Sequence, residues 1–315
     1  MTSRLPAWAL LALLSFVLVL GACRREPAEP ARAPGDPVSA VEGLAGALRD
    51  NDLVRYSRLS LPPDLHARSE ALWLQRQAQA EPPTPEDAAE YEQMMARLMA
   101  PDAQTALMRD LEPKLVKLES EIAGQWPLMQ ATASIFLNAM IQANTELSDA
   151  EKAHGSEVVA SLMAWAQPAL FTDRERARQA IAALSRTARE LDLPTLDQAR
   201  ALPMQPALEK GGVALAGAKD VARAYGLDPD RSLDGVKAEL VSAEGDQAVV
   251  KVSYPLLDKT VSFEMAMLRR NDAWYSAEAV RQAEAELAEA AEAAPADEDV
   301  PDTGALAPAS ADTAE

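Results

Sequence analysis

Residues 236–275 read VKAELVSAEGDQAVVKVSYPLLDKTVSFEMAMLRRNDAWY, and their period decides the fold. In 259–268, Val261, Phe263, Met265 and Met267 alternate with Thr260, Ser262, Glu264 and Ala266. A period of two puts the first set on one face of a strand and the second on the other. The runs 236–242 and 247–254 show similar short, β-rich patterning, and Glu244-Gly245-Asp246 between them is a turn signal. Asn271-Asp272 makes a second turn before Trp274-Tyr275. The expectation is an antiparallel meander of three to four strands with one apolar face to cover. Only helices upstream can cover it, so the fold class is α+β: a mainly helical domain closed by a C-terminal β-meander.

The upstream region, 38–230, carries helical spacing: Val41, Leu44, Leu48; Leu107, Leu111, Leu115, Leu118, Ile122; Val158, Val159, Leu162, Trp165. Four capping-box signals mark helix starts: Thr84…Asp87, Ser148…Glu151, Thr172…Glu175 and Thr195…Gln198. Pro113, Pro127 and Pro168 are expected to break or start helices rather than lie inside them. Six to eight helices are expected, with no repeat of fixed period. The most apolar stretch downstream of the first 22 residues is Trp126 to Ile141, interrupted by Gln130, Thr132, Ser134 and Asn138. It reads as a buried central helix, too short for a comfortable membrane span.

Residues 38–60, VSAVEGLAGALRDNDLVRYSRLS, together with GDQAVVKVSY and VSFEMAMLRRNDAWY, resemble the first helix and closing strands of nuclear-transport-factor-2-like domains. That class includes many bacterial lipoproteins, and the resemblance implies a curved sheet forming a pocket with its helices. The matching pieces, within 38–60 and 236–275, cover about a third of the chain and contain no catalytic motif. About 150 mostly helical residues separate them here, which departs from the pattern, so no pocket residue is carried over.

The N-terminus has one charge, Arg4, then an apolar run from Leu5 to Leu20 and the small pair Gly21-Ala22, the order of a secretory signal. An uncleaved anchor is the alternative, at the short limit for a span. Leu20-Gly21-Ala22-Cys23 resembles the bacterial lipobox. The resemblance implies cleavage between Ala22 and Cys23, with S-diacylglycerol and N-acyl groups on Cys23. Several acyl chains on one residue give durable membrane attachment. Cys23 is the only cysteine, so no disulfide is available. In the sorting pattern of that family, Arg24 rather than Asp after the cysteine implies the outer membrane, facing the periplasm from its inner leaflet. Residues 23–37 are a Pro-rich tether with a reach of roughly 40 Å when extended. Residues 284–315 carry ten acidic residues and no Lys or Arg, and read as an acidic, Ala/Pro-rich disordered tail whose first part, EAELAEAAEAA, could extend a helix.

The chain has 30 basic and 49 acidic residues, a net charge of −19. Such a balance repels phosphate backbones and argues against nucleic acid as a partner. His66 and His154 are the only histidines; each sits in a polar context without ligand-spaced neighbours, and reads as a surface residue. No metal, cofactor or catalytic residue is expected. Acidic runs such as Pro85–Gln93 read as solvated helix faces, and the glycines of KGGVALAGAKD as points of close helix contact. Met94, Met95, Met99 and Met108 read as ordinary core rather than a Cu(I) site. The functional expectation is a non-enzymatic binding or scaffold lipoprotein, attached to the membrane by its lipid and engaging an unknown periplasmic protein or ligand. Two alternatives stand beside it: an envelope hydrolase with a carboxylate pair at a helix–sheet cleft, and small-ligand binding in a cone-like pocket.

Overall fold

The computed structural model describes residues 34–293, apart from 123 and 146. The expected signal, the lipobox-like stretch with Cys23, most of the expected tether and the last 22 residues lie outside that range. Thirteen helices and four strands are present among the described residues, and the α+β architecture is as expected. The first group of helices is α1 (Pro37–Arg49), α2 (Leu53–Ser60), α3 (Pro63–Gln79), α4 (Pro85–Met99) and α5 (Ala103–Ile122). Then come α6 (Trp126–Ala143), α7 (Asp149–Trp165), α8 (Pro168–Thr172), α9 (Arg174–Leu191), α10 (Leu196–Arg200), α11 (Met204–Ala224) and α12 (Pro229–Asp234). The sheet follows as β1 (Lys237–Glu244), β2 (Gln247–Leu256), β3 (Lys259–Arg270) and β4 (Ala273–Ser276), and α13 (Ala277–Ala293) ends the described chain.

The strands run in the order β1-β2-β3-β4, each pair antiparallel. Gly245 turns β1 into β2 at φ +59°, a conformation that suits glycine. Asn271 and Asp272 both have positive φ between β3 and β4, as a tight hairpin with right-handed strand twist requires. Across β2 and β3, Val250 faces Met265, Val252 faces Phe263 and Tyr254 faces Val261. These residues share the inner face read from their period, and Val250, Val252, Val261 and Met267 are buried there.

Helix α1 serves both halves of the core. Ala40 and Val41 pack on Val250, Val252, Met267 and Trp274, while Leu44 and Ala47 join Leu59, Leu65, Tyr275 and Val280. The second group includes Ala283, so α13 is part of the domain. The start of the acidic segment does extend a helix, as far as Ala293, so the expected disordered tail does not begin at Glu284. Arg270 pairs with Glu284 and Arg76 with Glu286, which draws its acidic side chains toward β3 and α3.

Helix starts follow local chemistry, with one correction. Thr84, Ser148 and Thr195 cap α4, α7 and α10, and Ser148 forms the full reciprocal box with Glu151. Thr172 does not cap α9: its hydroxyl donates back to Pro168 O, and Asp173 accepts the N–H groups of Glu175 and Arg176 instead. A carboxylate one residue closer to the helix, free of its own turn, is the better acceptor. Among the described residues, twelve helices rather than six to eight precede the sheet, because short pieces such as α8, α10 and α12 add to the long ones.

Two further expectations are overturned. Pro113 lies inside α5 rather than at an end. Arg174 pairs with Glu112 and Glu119, one on each side of the proline, and ties both halves of α5 to the start of α9. Helix α6, expected at the centre, has no buried residue at all. It packs on α7 with its mixed face: Gln130 donates to Ala166 O and Met163 O, and Ile141 touches Gly155. Leu128, Met129, Ile135, Phe136 and Met140 face outward. The base of this α6–α7 pair is held by aromatic contacts of Phe171 with Trp126, Trp165 and Tyr225.

Candidate functional site

Helix α1 packs on the sheet, and beside it opens a cavity of about 530 Å³. Val41, Leu44, Ala45 and Leu48 of α1 form one wall, with Tyr56 of α2. Leu215, Ala218 and Lys219 of α11 form the second, and Pro229, Ser232 and Leu233 of α12 the third. The floor is the inner sheet face: Val252, Tyr254, Leu256, Phe263 and Met265. Apolar side chains dominate this lining, and the volume suits a small organic molecule.

The one cation in the wall is fully engaged. Lys219 is buried, and its Nζ donates to Leu48 O at 2.6 Å and Arg49 O at 3.0 Å, the last carbonyls of α1. It also pairs with Asp230 Oδ1 at 2.6 Å. Positive charge is favoured at a helix C-terminus, so Lys219 closes α1 and joins it to α11 and α12. Burial alone would raise the Asp230 carboxyl, but Lys219 and Arg223 beside it more than offset this and hold it below its ordinary range. The cavity therefore meets a neutralised pair, not a free ammonium.

At another point of the floor, the Tyr254 hydroxyl lies 3.3 Å from His154 Nε2. The His154 ring sits 4.7 Å from the Phe263 ring, where α7 meets β3. Burial depresses the His154 pKa and raises that of Tyr254, so near neutral pH both are uncharged. An uncharged pair of this kind can hold or accept a hydrogen bond at the end of an apolar space. Tyr56 and Ser232 add two hydroxyl-bearing side chains to the wall.

The residues singled out from sequence fall as follows. Cys23 and the Ala22–Cys23 bond lie outside the described residues. Both histidines are half-buried rather than on the surface; His66, on α3, is away from the cavity lining and its pKa is likewise depressed by burial. Among the described residues no group of three His, Cys, Asp or Glu could hold a metal ion, and no helix is long and apolar enough to cross a membrane. Glu86, Asp87, Glu90 and Glu92 are exposed on α4, as solvated faces should be. The helix–sheet cavity has no carboxylate in its lining. The perturbed carboxylates Asp36, Glu151, Asp173 and Asp230 are all held low, the reverse of what a general acid needs. The methionines divide: Met95 is buried and Met94 exposed. The glycines of α11 do mark close contact, since a Cβ on Gly212 would strike Asn51 O and one on Gly217 would strike Thr187.

Lys219 and the His154–Tyr254 pair were not singled out from sequence. A lysine inside a Gly/Ala-rich helix carries no mark of burial, and the two partners of the other pair stand 100 positions apart. No family model, curated protein or solved structure matches the chain.

Proposed function

We propose that this chain is a lipid-anchored envelope protein whose helix–sheet cavity binds a small, uncharged, largely apolar molecule. The cavity carries that reading: about 530 Å³, walled by aliphatic and aromatic side chains, with its one lysine already paired. A charged ligand would be desolvated there without a free counter-charge, whereas an apolar body with one hydroxyl or carbonyl loses little. Tyr56, Ser232 and Tyr254 are the side chains that would meet such a polar end. Small-ligand binding in a cone-like pocket is thereby favoured over a carboxylate hydrolase, whose acid pair the lining lacks. A pocket between the first helix and the meander also supports kinship with the nuclear-transport-factor-2-like class. Cys23 would hold the protein to the outer membrane, with the tether setting its reach into the periplasm.

The cavity reading is tested by native mass spectrometry and thermal unfolding of the purified protein with matched neutral and anionic ligands, a long-chain alcohol against the fatty acid of equal length. The alcohol should bind and raise Tm; Ala218→Phe, which fills the wall, should abolish the shift while leaving the apo protein folded. Indifference to both ligands, or equal binding by Ala218→Phe, refutes it. Attachment is tested separately: labelled palmitate should enter the wild type and not Cys23→Ser, and equal labelling refutes the lipid site.

A further inference from the structure

Helix α6 leaves large apolar side chains exposed, which a surface helix normally turns inward. Its half-buried side mixes Gln130, Ser134 and Asn138 with Trp126, Ala133, Leu137 and Ile141, while Leu128, Ile135 and Phe136 stand 71%, 72% and 63% exposed. From Trp126 to Ala143 there is no Asp, Glu, Lys or Arg, in a chain whose net charge is −19. Six outward residues, Leu128, Thr132, Ile135, Phe136, Ala139 and Ala143, fall within one stripe about 100° wide at 3.6 residues per turn.

We propose that this stripe is the contact surface of a homodimer, formed by two antiparallel α6 helices about a two-fold axis midway between Ile135 and Phe136. The stripe is its own complement under that operation. Leu128 falls opposite Ala143 of the second copy, Thr132 opposite Ala139, and Ile135 opposite Phe136. Four of the six pairings made in this way set a larger side chain against a smaller one, which is how facing helix surfaces interlock. Antiparallel pairing also opposes the helix dipoles, and an isologous contact of this kind closes on itself. Charge selects the same occupant: elsewhere, two copies of an acidic chain would bring like charges together, and over α6 they do not. The helix is about 27 Å long, which provides less than a standard interface of roughly 800 Å² per partner. The dimer is accordingly reversible and depends on concentration, which confinement to a membrane surface would raise.

The register makes a discriminating test possible. In membranes from cells producing the full chain, wild type with Cys23 alone serves as the control. A disulfide needs Cα atoms within about 7 Å. Residues 132 and 139 meet across the proposed axis, whereas each lies about 10 Å from its own copy and from the other within one helix. Oxidation should therefore convert Thr132→Cys/Ala139→Cys into a covalent dimer and leave each single variant at the control level. Adding Ile135→Asp should reduce cross-linking at least tenfold, with circular dichroism and Tm unchanged because Ile135 touches no core. Absence of a dimer in the double variant overturns the proposal. So does equal cross-linking by the single variants, the sign of a parallel or random encounter. Retained cross-linking with Ile135→Asp does the same.

Discussion

Lys219 shows how much one side chain can join. Its Nζ donates to two terminal carbonyls of α1 and forms an ion pair with the Asp230 carboxylate, so α1, α11 and α12 meet at one buried nitrogen. Lys219→Met keeps the apolar stem but leaves those acceptors without donors. It should cost about 3 kcal/mol in urea unfolding, the magnitude expected when one partner of a largely buried pair is removed. Asp230→Asn added to it should cost less than the two changes summed, because they share one interaction. His66 and His154 govern a different property. Both have folded-state pKa values below the ordinary 6.5, caused by burial, with Glu157 opposing the shift at His154. As pH falls the unfolded chain takes these protons first, so their contribution is complete above about pH 6.5 and declines below it. The urea midpoint should drop between pH 7 and pH 5, and more shallowly in the His66→Gln/His154→Gln variant. The lowered carboxylates act in a separate window, losing their contribution only as pH falls below about 4.

Between elements, α9 and α11 approach closely at Gly217. Small side chains are among the buried residues of α9, including Ala177, Ala180 and Ala188, and Gly217 of α11 sits against Thr187. Gly217→Ala would normally favour a helix through its propensity. Here the added methyl meets Thr187, and the variant should instead lose roughly 2 kcal/mol in thermal or urea unfolding. Thr187→Ala made together with it should recover most of that loss; no recovery would mean the contact is not what limits the approach. The same scale separates the two kinds of helix signal. Ser148…Glu151 is a complete local device and could be read directly. Thr172…Glu175 has the same spacing, yet α8 captures Thr172 as its last residue and Asp173 becomes the cap. A spacing rule sees the bonds available to a residue, not which neighbouring helix takes them first.

Across the molecule, the first and last described segments meet. Trp274 N–H of β4 donates to Pro34 O, and α13 packs Val280 and Ala283 beside Leu44 and Leu65 of the first helices. Ending the chain after Ser276 should therefore destabilise it by about 3 kcal/mol or more, from the apolar area uncovered, measurable as a lower urea midpoint. If the truncated chain unfolds like the full one, α13 is an appendage and not part of the core.

The meander was legible because a strand's two faces are written as a period of two, and its turns as Gly245 and Asn271-Asp272. The helical character of 38–230 was legible for the same local reason, through the 3.6-residue period and the caps. Apolar content was not a guide to position. Trp126–Ile141 is rich enough in apolar residues to fill a core, yet it lies outside, with its amides turned inward. Lys219 is charged and lies inside. Periodicity and capping depend on neighbours within a few residues, so sequence alone determines which segments become helix or strand. Burial, the cavity between α1, α11, α12 and the sheet, and the outward face of α6 depend on contacts between distant residues. Those were decided only when the helices found their places on the sheet.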